Sequence, residues 1–175
     1  MAIHQAEQVT LRRLASGQIA ALRPMDQVTA SAMAEILAGM EPWSRLGSRA
    51  AVLAKVMMPL PEQGARSWCL MADGEPAGTF VVRGDWMGGP YLRLLAVTPA
   101  YQRLGLSRAA MNWWEIDARN QGAKNLWLTV TDFNVVARRH YETAGFREVA
   151  VLDDLIRDGI NEILMRKPLK PAAAP

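Results

Sequence analysis

A chain of 175 residues that is 50% hydrophobic and 21% charged, with a net charge of only +3, has the profile of an ordinary globular protein, one domain with enough chain to bury a substantial core. Its sixteen arginines and four lysines are dispersed, with no run of five or more like charges, which argues against a nucleic-acid partner. The lone cysteine, Cys69, excludes an internal disulfide and fits a reducing cytosol; no apolar stretch nears the roughly 18 residues that span a bilayer, so a cytoplasmic protein without membrane contact is expected.

Residues 1–17, which carry His4, Glu7, Arg12 and Arg13 and lack the apolar segment of a secretory signal, read as an N-terminal extension. Gly17–Arg23 is a candidate first strand. Asp26 is placed to cap a helix that runs through Ala32, Met33, Ile36 and Leu37 and stops at Gly39. Pro42 breaks the chain, and a second helix is expected from about Ser48 to Met57, ending before Pro59 and Pro61. Ser67–Ala72 and Gly78–Arg83 are strands joined by Asp73-Gly74-Glu75-Pro76, a hairpin signal. Cys69 falls in the apolar run Trp68–Ala72 and reads as a buried structural thiol. Asp85–Pro90 is a further turn, followed by the strand Tyr91–Val97, whose alternation places Arg93 on one face with Tyr91 and Leu95.

The next segment, Val97-Thr-Pro-Ala-Tyr-Gln-Arg-Leu-Gly-Leu-Ser107, is the most informative in the chain. It reads as a strand end, a proline turn and a glycine loop opening a helix, whose apolar stripe is Leu106, Ala109, Ala110, Trp113 and Ile116. Trp114 falls off that stripe and is a candidate subunit contact, which leaves a homodimer open. A helix N-terminus offers backbone N–H groups without helical partners, and the macrodipole adds about half a positive charge there. Gly105 lets backbone approach a ligand closely. These residues imply a phosphorylated cofactor held at a strand–loop–helix junction.

Asn125–Thr131 follows as a strand, with Leu126, Leu128 and Val130 facing one way. Asn134 starts a helix through Ala137 and Tyr141 that Gly145 ends. Phe146–Ile156 and Asn161–Arg166 form an antiparallel pair around Arg157-Asp158-Gly159, and the tail at residues 170–175 is low in complexity. The order β-α-α-β-β-β-α-β-α-β-β implies an α/β fold, a mixed sheet flanked by helices. Neither His4 nor His140 has a metal-ligand companion, so no metal is expected, and helical spacing puts His140 on the surface.

Two blocks in this order resemble the GNAT superfamily of acyl-CoA-dependent N-acetyltransferases. Gln102-Arg103-Leu104-Gly105-Leu106-Ser107 occupies the family's Gln/Arg-x-x-Gly-x-Gly/Ala pattern, departing from it at Ser107. Asn134, Ala137, Tyr141, Gly145 and Phe146 match the second block at every position. The resemblance spans Gln18 to Leu169, taken as one domain over 18–169. It implies a mostly antiparallel sheet that splays after Val97, between the fourth and fifth strands of the predicted order. It further implies acetyl-CoA as co-substrate, its pantetheine beside Leu95 and Val97, and its pyrophosphate on the N–H groups of Arg103 to Ser107. Asn134 would reach the pantetheine arm, with Ala137 beside it, and a backbone N–H at Ala96 or Val97 would polarise the acetyl carbonyl.

On this resemblance Tyr141 is the acid for the departing thiolate. A base is also needed, because an alkyl amine with a pKa near 10 is protonated at neutral pH; Glu41, Asp85 and Glu115 are the candidates. Cys69 has no activating partner, so direct attack in a ternary complex is expected rather than an acyl-enzyme. The acceptor is expected to be a small-molecule amine, with Trp43, Trp86 and Tyr91 as candidate walls and Arg93 as a candidate reader of an acceptor carboxylate. Two alternatives stand beside it. One is a protein N-terminus or lysine, since Pro42-Trp43-Ser44 loosely resembles the acceptor-side loop of ribosomal-protein N-terminal acetyltransferases. The other is a non-catalytic acyl-CoA-binding module.

Overall fold

The computed structural model describes residues 8–58, 64–84 and 86–169. Their order is β1 (Val9–Arg13), β2 (Ile19–Pro24), α1 (Gln27–Ala38), α2 (Ala50–Met57), β3 (Ala65–Ala72), β4 (Glu75–Arg83), β5 (Tyr91–Val97), a single 3-10 turn at Pro99–Tyr101, α3 (Leu106–Asn120), β6 (Asn125–Thr131), α4 (Val135–Thr143), β7 (Arg147–Arg157) and β8 (Ile160–Pro168). The candidate base Asp85, the prolines at 59 and 61, the first seven residues and the tail at 170–175 lie outside the described residues.

Local chemistry sets most boundaries. The Asp26 side chain accepts from the Thr29 N–H at 2.8 Å and caps α1, and Gly39 follows its last turn. Asp73 and Gly74, with φ of 49° and 83°, form the two-residue turn whose twist suits a hairpin between β3 and β4. One strand has no counterpart in the predicted order. The short, half-polar β1 pairs with β2 at the sheet edge, and the alternation of Val9-Thr-Leu-Arg-Arg is too brief to announce it.

The eight strands form one sheet in the order β1-β2-β3-β4-β5-β6-β8-β7, antiparallel everywhere except between β5 and β6. Helices α3 and α4 cover one face, packing Ala110, Trp114 and Tyr141 against Leu70, Phe80, Val82, Leu126 and Leu128. On the other face α1 and α2 pack Met33, Leu37, Leu53 and Met57 against Val81, Leu94 and Ala96.

The step from Leu92 to Leu94 crosses the sheet. Val82 pairs with Leu92 and Val81 with Leu94, so Arg93 is an extra residue, a β-bulge. Leu92 and Leu95 therefore pack on the α3–α4 side, while Leu94 and Ala96 pack on the α1–α2 side. This overturns the shared face predicted for Tyr91, Arg93 and Leu95, because plain alternation ends at the bulge. The same place ends pairing with β6, which includes only Tyr91 with Trp127 and Leu92 with Leu128. The splay therefore opens after Leu92, earlier than the expected Val97, and between strands that count as fifth and sixth once β1 is included.

The buried stripe of α3 is rotated by about one residue from the predicted one. Trp114 is 0% exposed, stacked on Phe146 at 6.3 Å and set edge-on to Phe80 at 6.0 Å, so it is core and no subunit contact. Trp113 is half-buried, and Ile116 is 60% exposed. Replacing Trp114 by alanine empties the centre of the larger core, and the expected loss is about 3–5 kcal/mol in urea unfolding; a loss below about 1 kcal/mol would contradict this packing.

Candidate active site

Past the bulge, Leu94–Val97 pairs with β4 on one side only, and its other edge is open toward β6. The chain leaves β5 through Thr98, whose N–H donates to Ala77 O at 2.9 Å, then turns at Pro99–Tyr101. Gln102 Nε2 donates to Val97 O at 3.1 Å and folds the loop back onto the strand end. Arg103 and Gly105 both take positive φ, 63° and 90°. No side chain caps α3, and the first backbone N–H of that turn to find a carbonyl is that of Ala109, on Gly105 O. Free N–H groups thus converge over Arg103–Ser107 beside a glycine that leaves room for an anion. Arg12 of β1, absent from the candidates read from sequence, stands here too: a Cβ on Gly105 would lie 3.7 Å from its Nη2.

A cleft of about 210 Å³ runs from this loop through the gap in the sheet. Its lining joins Leu95, Ala96 and Val97 of β5, Gln102 and Ser107 of the loop, and Asn134, Ala137, His140 and Tyr141 of the opposite helix and its cap. Met40, Glu41, Pro42 and Trp43 close it from the α1–α2 loop. Two motifs some thirty residues apart in sequence therefore face one another across one opening. Asn134 caps α4, its Oδ1 accepting from the Ala137 N–H at 3.2 Å. Tyr141 is buried, and its pKa is raised, first by burial and then by the neighbouring Tyr91 and Glu162 side chains, so the phenol keeps its proton at neutral pH. His140 is half-buried and lines the cleft, against the surface position expected from helical spacing. Burial, then the charge of Arg108, lowers its pKa.

Other candidates fall elsewhere. Cys69 is fully buried, and burial pushes its thiol up to about 11, so it is no nucleophile at neutral pH. Trp86 packs edge-on against Tyr91 and Trp127 at 5.2 and 5.3 Å, away from the cleft lining, whereas Trp43 lines it. Glu115 is held by Arg119 at 2.7 Å and by Lys167, which makes it a structural anchor between α3 and β8. Glu41 is exposed at the cleft rim. Among the described residues no cluster of three His, Cys, Asp or Glu could hold a metal ion, and no helix is long and apolar enough to cross a membrane.

Glu162 of β8 is the acidic residue that the sequence does not single out. It is 6% exposed, and Thr131 Oγ1 donates to its Oε1 at 2.7 Å across the β6–β8 pair. On the same face Tyr91 Oη and Thr129 Oγ1 are 2.8 Å apart. Nothing in the local sequence Gly-Ile-Asn-Glu-Ile-Leu marks Glu162. Its burial follows from a strand pairing that forms 31 residues away from Thr131.

Residues 31–146 match the model of the Acetyltransferase (GNAT) family. The ribosomal-protein-S18-alanine N-acetyltransferase of Escherichia coli is 39% identical over 57 residues, which are 33% of this chain and 38% of that relative. The matched part is thus well under half of the curated relative's length. The crystal structure of the Escherichia coli enzyme superposes with a TM-score of 0.69 at 22% identity, covering 88% of this chain and 96% of the other. Nourseothricin acetyltransferase is 28% identical, with a TM-score of 0.57 over 62% and 68% of the two chains. A Salmonella typhimurium protein solved with its cofactor acetyl-CoA shares the fold, at 19% identity and a TM-score of 0.66 over 89% and 97%. The family match spans well over half of the chain, and the chain belongs to the GNAT acetyltransferases.

Burial alone would raise the Glu115 carboxyl, but hydrogen bonds from Lys167 and Arg119 outweigh it and hold the pKa below the usual glutamate value. A depressed carboxyl stabilises the fold above its unfolded pKa, and that stabilisation fades as pH falls through the folded value. Glu115→Gln is expected to lose about 1–2 kcal/mol at pH 7 and less at about pH 4, below the ordinary glutamate value, read from urea unfolding at both. An equal loss at both pH values would exclude the ion pair as its source.

Proposed function

We propose that this GNAT acetyltransferase moves the acetyl group of acetyl-CoA to a primary amine by direct attack in a ternary complex. The observation that carries the reading is the composition of the cleft: open strand backbone and free helix N–H groups on one side, Asn134 and Tyr141 on the other. The pyrophosphate would lie on the N–H groups of Arg103, Leu104, Gly105, Leu106 and Ser107. The pantetheine arm would extend along Leu95–Val97 as an added strand, where β6 has moved away and left the edge unpaired. Asn134 would hydrogen-bond that arm, with the small Ala137 beside it leaving room. The N–H of Ala96 or Val97 would stabilise the charge on the acetyl oxygen as the amine attacks.

Tyr141 is the proton donor in this reading. A phenol held protonated at neutral pH can hand its proton to the thiolate as the carbon–sulfur bond breaks. The inert Cys69 supports transfer without an acyl-enzyme. The acceptor is a small-molecule amine, in keeping with the likeness to nourseothricin acetyltransferase. One observation favours a second acceptor, a protein N-terminus. The Pro42–Trp43 segment lines the cleft, and the Escherichia coli relative is named for acetylating the alanine of a ribosomal protein. The reaction would take place in the cytoplasm.

Calorimetric titration with acetyl-CoA tests the cofactor site. Binding is expected for the wild-type chain and its loss in Gly105→Glu, which places an anion on the loop; free CoA should compete and ATP or NAD should not. Equal binding by the variant would move the cofactor off the loop. Tyr141→Phe is expected to lower kcat by about a hundredfold or more with the dissociation constant of acetyl-CoA unchanged. Undiminished turnover at saturating acetyl-CoA would remove the tyrosine from the chemistry, and binding without any turnover would favour a non-catalytic acyl-CoA-binding module.

A further inference from the structure

The acceptor side of the sheet holds a carboxylate that structural pairing does not explain. Glu162 is 6% exposed, yet among the described residues no lysine, arginine or histidine nitrogen lies within 4.0 Å of it; the five ion pairs all involve other acids. Among the described residues the hydrogen bond it accepts is that of the Thr131 hydroxyl, on Oε1. A buried carboxylate without a counter-ion is costly to keep, and the cost falls when a cation arrives.

Its position suits a visiting cation. Ile163 and Met165 point to the α3–α4 core, so Glu162 points to the opposite face, the one covered by α1 and α2. That face also carries the Tyr91–Thr129 pair, and the α1–α2 loop that closes the cleft stands over it. Strand β6, which holds Thr131 opposite Glu162, is the strand from which β5 has parted. Tyr141 reaches the gap from the other side; burial chiefly, with the Glu162 charge as a lesser cause, raises the pKa of both Tyr141 and Tyr91. The rival acids serve less well: Glu41 is exposed, and Glu115 is committed to Lys167 and Arg119.

Resting on the acetyltransferase reading above, we propose that Glu162 is the general base, receiving the ammonium of the acceptor at the Tyr141 end of the cleft and taking its proton. The carboxylate accepts one proton from R–NH3+, and the freed nitrogen lone pair forms the carbon–nitrogen bond to the thioester carbonyl. The carbon–sulfur bond then breaks, and the leaving thiolate takes the Tyr141 proton. The second nitrogen proton returns to the tyrosinate, and Glu162 sheds its proton to solvent. The net products are the amide, free CoA and one proton.

The test compares Glu162→Gln and Glu162→Asp with the wild type on tyramine, spermidine and a short peptide with a free N-terminus. Glutamine keeps the shape and an oxygen for Thr131 but cannot take the proton; aspartate changes the shape and keeps the charge. Expected is a hundredfold or larger fall in kcat/KM for Glu162→Gln and a smaller one for Glu162→Asp, with acetyl-CoA affinity and melting temperature near wild type in both. Glutamine activity within threefold of wild type, or equal losses in the two variants, overturns the base and leaves the acetyltransferase reading standing. A wild type that binds acetyl-CoA and acetylates none of the three amines overturns both.

Discussion

The parting of β5 from β6 is the constraint on which the rest of this molecule depends. A sheet that closed every backbone hydrogen bond would have no opening between its two faces. One extra residue, Arg93, ends the parallel pairing after Leu92 and Leu128 and turns the strand so that Leu94 and Ala96 pack on the face opposite Leu92. The open edge that results is flanked by the loop after β5 and the cap of α4. Both motif blocks thus come to line a cleft that neither could form alone.

The remaining structure keeps that gap from collapsing. Trp114 and Phe146 fill the space behind Tyr141, and Lys167 ties the end of α4 to Glu115 of α3 through the Ala144 carbonyl. On the other face, Arg157 at the β7–β8 turn donates to Leu46 O at 3.5 Å, and Arg45 lies 4.0 Å over the Phe133 ring, so the α1–α2 loop is held from two sides. A cleft floored by a rigid sheet and roofed by an anchored loop suits chemistry in which two substrates must meet in one geometry.

Much of this was legible in the residues because it rests on short-range rules. Asp26, Asp73-Gly74, Gly105, Asn134 and Gly145 each mark a cap or turn whose backbone demand is local, and they set the element boundaries well. The features that stayed hidden depend on partners distant in sequence. A bulge is a mismatch between two strands, so nothing within Tyr91–Val97 announces that its alternation breaks at Arg93. The choice between Trp113 and Trp114 is a rotation of one residue, decided by what the helix meets on the sheet. Glu162 looks like any polar residue of a final strand until β8 pairs with β6 and buries it beside Thr131.

The edge strand β1 has a consequence for where this domain can be cut. Leu14, between β1 and β2, packs with Leu106 and Ala109 of α3, and the Arg12 side chain stands beside Gly105. The amino-terminal hairpin therefore buttresses the glycine loop from outside, although the recognisable motifs all lie far downstream. Truncation to the segment that matches the family model would remove that buttress and leave every motif residue in place. A fragment chosen by motif boundaries alone would keep the motif residues and lose the wall they lean on.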